Sequence, residues 1–157
     1  MPSYLIGIAD TTFARYNMAQ DVITVFDNYY PQIKYIRYTV PGIKDLPVAS
    51  KILFNQHDCD LVIALGMPGP KAYDKMSAQI ASHGIMQCQL DVEKHIIEVF
   101  IHEDEGDGDD QYLKQIMKDR ATKHAQNAVY LLLDPQKLTQ KAGQGLRQGY
   151  EDASAIQ

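Results

Sequence analysis

Cysteine is scarce in this chain: two residues of 157, Cys59 and Cys88. Two thiols fit a reducing compartment better than a disulfide framework. No CxxC pair occurs, which argues against a structural zinc site. Positive charge is scarce as well. Fifteen lysines and arginines face twenty aspartates and glutamates, giving a net charge of −5 and a pI near 5.4. A chain without a basic stripe does not neutralise phosphates, so nucleic acid is not an expected partner. The same balance argues against an anionic membrane surface. No segment approaches the roughly 18 consecutive apolar residues of a membrane span. The start, "MPSYLIGIADTT", lacks the basic region and long apolar run of a signal peptide. The expected location is the cytoplasm.

What remains is ordinary for a globular protein, 45% hydrophobic and 22% charged. Its length predicts a single domain over residues 1–157, large enough to bury a normal core. Extended and helical patterns alternate. Short apolar runs predict strands at Tyr4–Ala9, Ile33–Val40, Asp60–Gly66 and His95–Glu103. Between them, apolar spacings of three and four predict helices: one starting near Asn17, its expected N-cap, and ending before Pro31, then Leu46–His57 and Tyr73–Leu90. Asp45 is the natural cap of the second, and Pro47 suits its first turn. A further helix is expected over Gln111–Leu133, with Leu113, Ile116, Met117, Ala121, Ala125, Ala128, Val129 and Leu132 on its apolar face. A short helix follows Pro135, and the tail from Gly149 reads as loose. This order implies a three-layer α/β sandwich, a four-stranded parallel sheet with helices on both faces.

Ligands of such sheets bind beyond the carboxyl ends of the strands. Four loops leave those ends: "DTTFAR", "TVPGIKDLP", "GMPGPK" and "HEDE". None has the glycine spacing of a Walker or dinucleotide cradle. The first offers Thr11, Thr12, Phe13 and Arg15, a set suited to a flat heterocycle stacked on Phe13. The alternative is a core phenylalanine beside a helix cap. In the second, Pro41 and Pro47 limit the backbone. Gly42 permits an unusual turn or a close ligand approach, and Asp45 either caps its helix or meets a polyhydroxylated chain. The third places Gly66 and Gly69 around a proline, followed by Lys71 and Lys75. Lys75 is either a proton carrier or a solvated surface residue. In the fourth, His102 and Glu103 form an acid–base pair or help hold a divalent cation, with magnesium or manganese suited better than zinc. The acidic residues Asp107, Asp109 and Asp110 read as a helix cap. His57, His83, His95 and His124 have no motif context.

Taken together, "DTTFAR", "TVPGIKDLPVA", "ALGMPG", "KHIIEVFIHEDE" and "AGQGLRQGYEDA" resemble the archaeal-type riboflavin synthases, relatives of the lumazine synthases, in order and over nearly the whole chain. The resemblance implies a flavodoxin-like fold and a homopentamer with sites between subunits. It also implies a divalent cation, magnesium or manganese, and no redox or nucleotide cofactor. The implied reaction is a dismutation of two molecules of 6,7-dimethyl-8-ribityllumazine, which exchange a four-carbon unit. The products are riboflavin and 5-amino-6-ribitylamino-pyrimidinedione. By position, Thr12, Phe13 and Ala14 would border the lumazine ring, with Phe13 stacked on it. Pro41, Gly42, Ile43, Lys44 and Asp45 would hold the ribityl chain. Gly66, Met67, Pro68 and Gly69 would close the other side. His102, with Glu103 beside it, is the first candidate for proton transfer and Lys75 the second.

Three rival functions suit the fold. Lumazine synthase needs a phosphate ligand and an acid–base histidine after the third strand. Here Pro68 precedes Gly69, and no histidine lies between Met67 and Ser82. A lumazine or flavin carrier would bind without turnover. A receiver-like module needs aspartates after the first and third strands; Asp10 meets only the first requirement.

Overall fold

The computed structural model describes residues 3–157. Strands β1 (Tyr4–Thr11), β2 (Ile33–Val40), β3 (Leu61–Gly66) and β4 (Ile96–Phe100) form one sheet in the order β2-β1-β3-β4, and all pairings are parallel. Helices α1 (Met18–Tyr29), α2 (Leu46–His57), α3 (Ala72–Val92) and α4 (Asp110–Leu133) follow the strands in turn, and α5 (Pro135–Gln140) packs on α4. This is the three-layer arrangement that the alternating sequence pattern predicts, in the flavodoxin-like form that the resemblance implies.

The strand sequences explain the layers. Successive side chains point to opposite faces, so a strand covered on both faces reads as a continuous apolar run. In β3 all six residues are buried. Ile63 and Leu65 join Ile6, Ile8, Phe26, Val99 and Met117 under α1 and α4. Val62 and Ala64 join Ala9, Leu46, Leu53, Ile85 and Cys88 under α2 and α3. Leu53 is wholly buried, and truncating such a leucine to alanine costs about 2–5 kcal/mol. The chain runs outward from β1 to β2 and then back across to β3. That reversal sets α1 and α2 on opposite faces and puts the topological switch between β1 and β3.

Several local expectations are corrected. Asn17 precedes α1 but makes no side-chain cap; its Oδ1 accepts from the Arg37 guanidinium at 2.8 Å. Asp45 does not cap α2 with its side chain. It ends a 3-10 turn at Ile43–Asp45, and its carboxylate accepts from the Gly42 N–H at 3.3 Å. Gly42 itself is ordinary extended backbone at φ −145°, so the turn does not use glycine's conformational freedom. The strand β4 stops at Phe100, short of the expected Glu103, because the chain turns away into a 3-10 turn at Glu103–Gly106. The tail from Gly149 is pinned near its start, where the Gly149 N–H donates to Asp119 at 2.8 Å and the Ala153 N–H to the Gly145 carbonyl at 2.8 Å, and its last residues are exposed.

Candidate active site at the carboxyl edge of the sheet

The first three loops meet at the switch point. The β1–β2 pairing continues past the strands, with the Thr12 N–H donating to the Val40 carbonyl at 2.9 Å and the Phe13 N–H to the Pro41 carbonyl at 3.1 Å. This fixes Phe13 beside the turn after β2. Phe13, Pro41, Gly42, Ile43, Lys44, Asp45, Pro68, Gly69, Asp74 and Ser77 line a cavity of about 410 Å3. Its walls are largely ring and aliphatic carbon, with carboxylates, one hydroxyl and one ammonium at the edges. A flat heterocycle with a polar chain has this distribution of surface.

Phe13 is 58% exposed and so is not a core residue. Of the other expected ring neighbours, Thr12 is exposed and donates to the Pro41 carbonyl at 3.4 Å. The Ala14 N–H is held by the Thr11 hydroxyl at 3.2 Å. Neither borders the cavity. Gly66 and Met67 do not border it either: Gly66 ends β3, and Met67 is 2% exposed, with its sulfur accepting from the Arg15 N–H at 3.3 Å.

The sequence reading missed Asp74. Its carboxylate accepts from the Lys71 N–H at 3.1 Å and lies against Gly69, where an added Cβ would fall 2.4 Å from Asp74 Oδ2. A side chain at this position would push the carboxylate aside. Asp45 and Asp74 thus do the same thing on facing loops. Each reaches back three residues to a backbone N–H, and both line the cavity. The sequence signal was available: a carboxylate in the first turn after a glycine–proline loop.

His102 and Lys75 face a second cavity, of about 860 Å3, on the other side of the α3 N-terminus. Glu98, Phe100 and His102 project into it from β4 and its end, with Ser82 and His83 from α3. His102 Nδ1 is buried without a hydrogen-bond partner among the described residues. Buried polar atoms are normally paired. Lys75 is held by Asp104 at 2.6 Å, and this hydrogen bond lowers the Asp104 pKa. Glu103 turns away from His102 and pairs with Arg15 at 2.6 Å. Burial pushes the Glu98 carboxyl above the usual range, against the opposing effects of Ser82 and His102. A lone acid inside an apolar strand was the signal that could have found it.

The remaining groups are spoken for. Arg15 is shared between Glu103 and Asp110, at 2.6 and 2.7 Å. Asp10 is nearly buried and takes the Thr39 hydroxyl at 2.5 Å and Arg37 at 2.6 Å, which leaves no open acidic pocket of the receiver kind. Both cysteines are buried; burial pushes the Cys59 thiol up to about 11, so it is not a nucleophile near neutral pH. Among the described residues no three histidine, cysteine or acidic side chains converge on a point that would hold a metal ion.

Comparison with known proteins identifies the family. Residues 4–134 match the family described as 6,7-dimethyl-8-ribityllumazine synthase. The chain is 51% identical over 151 residues to a protein of Methanothermobacter thermautotrophicus named riboflavin synthase, covering 96% of this chain and 98% of that one. It is 46% identical to a riboflavin synthase of Archaeoglobus fulgidus and 43% identical to one of Aeropyrum pernix, each over 96% of this chain and 97% of the relative.

Proposed function

The chain belongs to the 6,7-dimethyl-8-ribityllumazine synthase family, and we propose that within it this protein is a riboflavin synthase. It transfers a four-carbon unit between two molecules of 6,7-dimethyl-8-ribityllumazine, giving riboflavin and 5-amino-6-ribitylamino-pyrimidinedione. The atoms of two lumazines equal those of the two products, so the dismutation needs no oxidant or reductant. The observation that carries the reading is the first cavity. Apolar walls from Phe13, Ile43 and Pro68 meet two backbone-anchored carboxylates, with no phosphate cradle.

In this reading the lumazine ring stacks on Phe13. The turn Gly42–Asp45 holds the ribityl hydroxyls through backbone groups and the Asp45 carboxylate. A stiff turn lowers the entropic cost of fixing a flexible sugar alcohol and of aligning two substrates. The reaction begins with loss of a proton from the acidic 7-methyl group of one lumazine. His102, at the second cavity, is the first candidate to carry that proton. Lys75 is the second candidate, and Glu103 acts on the site through Arg15 rather than through His102.

The lumazine synthase alternative requires binding of a four-carbon phosphate. Arg15, the cation nearest to such a role, is already neutralised by two carboxylates. The test is a choice of substrates. Riboflavin formed from the lumazine alone, with no lumazine formed from the pyrimidinedione and the four-carbon phosphate, supports the proposal. The reverse pattern assigns lumazine synthase, and binding without turnover assigns a carrier.

The homopentamer, with its sites shared between subunits, belongs to the same proposal. Helix α3 buries Ala78, Ala81, Ile85 and Cys88 on one side, yet leaves Tyr73, Met76, Ile80 and Leu90 exposed along another. A helix apolar on two sides is covered in an assembly. A need for magnesium or manganese is a dependence to measure. One chain does not fit such an ion: among the described residues no three histidine, cysteine or acidic side chains converge, and Glu103, Asp104 and Glu105 are each engaged in an ion pair. No step is therefore routed through a metal. A cytoplasmic location fits two free, buried thiols, and no helix among the described residues is long and apolar enough to cross a membrane.

A further inference from the structure

Arg120 is a charged residue on the buried stripe of α4, and only 9% of it is exposed. Its guanidinium uses four of its five N–H groups. Nη1 donates to the Phe100 carbonyl at 3.2 Å and to Glu105 Oε2 at 3.0 Å. Nη2 donates to Glu105 Oε1 at 2.9 Å. Nε donates to the Gln148 carbonyl at 3.1 Å.

Two of these partners lie on either side of His102. Phe100 is the last residue of β4, two positions before it, and Glu105 lies three positions after. The same Glu105 Oε2 accepts the His102 N–H at 2.8 Å. One guanidinium therefore grips the backbone before the histidine and the carboxylate that holds the histidine's own amide. A planar fork does this where a flexible ammonium does not.

The C-terminal segment completes the grip. The Tyr150 ring centroid lies 6.0 Å from the guanidinium carbon. Gly149, at φ +92°, runs so close that an added Cβ would fall 2.5 Å from Arg120 Nε. Asp119 fixes the Gly149 N–H beside it. The tail thus covers the guanidinium, whose side chain is 11% exposed, while Glu105 stays open to the second cavity.

We propose that Arg120 is a positioning residue for His102, and that the segment Gln148–Tyr150 is the strap that keeps it seated. The inference rests on the assignment of His102 as proton carrier. Its geometric half, the hold on the 102–106 turn, does not. Loosening the strap lets this turn open locally, which moves the imidazole out of register with the substrate, while the Phe13 loop keeps its backbone bonds to Val40 and Pro41 and the Arg15 pairing with Asp110.

The test uses full-length Gly149→Val, Tyr150→Ala and Arg120→Lys proteins. Two readouts are compared: hydrogen exchange of the His102 amide, and steady-state turnover of 6,7-dimethyl-8-ribityllumazine. The expected result is exchange faster by about tenfold at His102. It is accompanied by a kcat at least about fivefold lower while KM stays within about twofold. Unchanged exchange at His102 in all three variants overturns the proposal. Faster exchange with an unchanged kcat overturns its catalytic half. The His102→Gln protein separates the two assignments: if it keeps full kcat, His102 is not the proton carrier, while the exchange result still decides whether Arg120 holds the turn.

Discussion

Arg15 and Glu103 join two loops of the carboxyl edge: the guanidinium donates to the carboxylate at 2.6 Å across 88 residues of sequence. Arg15 lies two positions after Phe13, and Glu103 one after His102. The pair therefore ties the loop of the proposed ring platform to the turn of the proposed proton carrier. It is exposed to solvent, where ion pairs add little to global stability.

Arg15→Gln should accordingly leave the melting temperature within about 2 °C of the parent. It should weaken lumazine binding several-fold through the freed Phe13 loop. Thermal melts and a fluorescence titration check this. Unchanged affinity would mean that the loop is held by its backbone bonds to Val40 and Pro41 alone.

Phe13→Ala removes a ring that is more than half exposed, so folding should be unaffected. Ring stacking is worth about 1 kcal/mol, and the lumazine affinity should fall by about fivefold. A variant that binds as tightly as the parent removes Phe13 from the site.

Asp45→Ala should weaken binding of the ribityl chain by about 1–3 kcal/mol, the cost of hydroxyls left unpaired. Asp45→Asn keeps an acceptor for the Gly42 N–H and separates the turn from the ligand contact. If both variants bind normally, Asp45 serves only the 3-10 turn.

The fold was legible because strands and helices carry different apolar periods along the chain. "DLVIALG" could only be buried on both sides, and β3 is. Side-chain partnerships were less legible, because they depend on residues distant in sequence. Asn17 and Asp45 read as caps from local preference. In the structure Arg37 claims the first, and the tight turn at Gly42 claims the second. Met67 reads as a loop residue in "GMPG", yet the loop folds inward and buries its side chain. Arg120 and His124 did leave a trace. Both interrupt the three-and-four spacing of the apolar face of α4, and a polar residue on a buried stripe needs a partner or pays in pKa.

His124 gives a pH signature. Burial, with the Arg120 charge adding to it, lowers its imidazole to about 4, against roughly 6.5 when unfolded. Between those values the unfolded chain holds a proton that the folded one does not. Stability attributable to His124 is therefore full above about pH 6.5 and falls as the pH drops toward 4. The loss approaches a magnitude on the order of 3 kcal/mol. Glu98, whose carboxyl is raised by burial, acts with the opposite sign, adding a penalty as rising pH ionises it in the fold. Comparing parent and His124→Gln at each pH cancels that contribution. Denaturant midpoints should fall less from pH 7 to pH 5 in the variant; equal falls would contradict the assignment.

The central claim is a dismutation, and its stoichiometry tests it most directly. The pure protein is given 6,7-dimethyl-8-ribityllumazine as the sole organic substrate, with magnesium present, and both products are quantified by chromatography. One riboflavin and one pyrimidinedione are expected for every two lumazines consumed. Lumazine that is bound but returned unchanged, or consumed without riboflavin at that ratio, would contradict it.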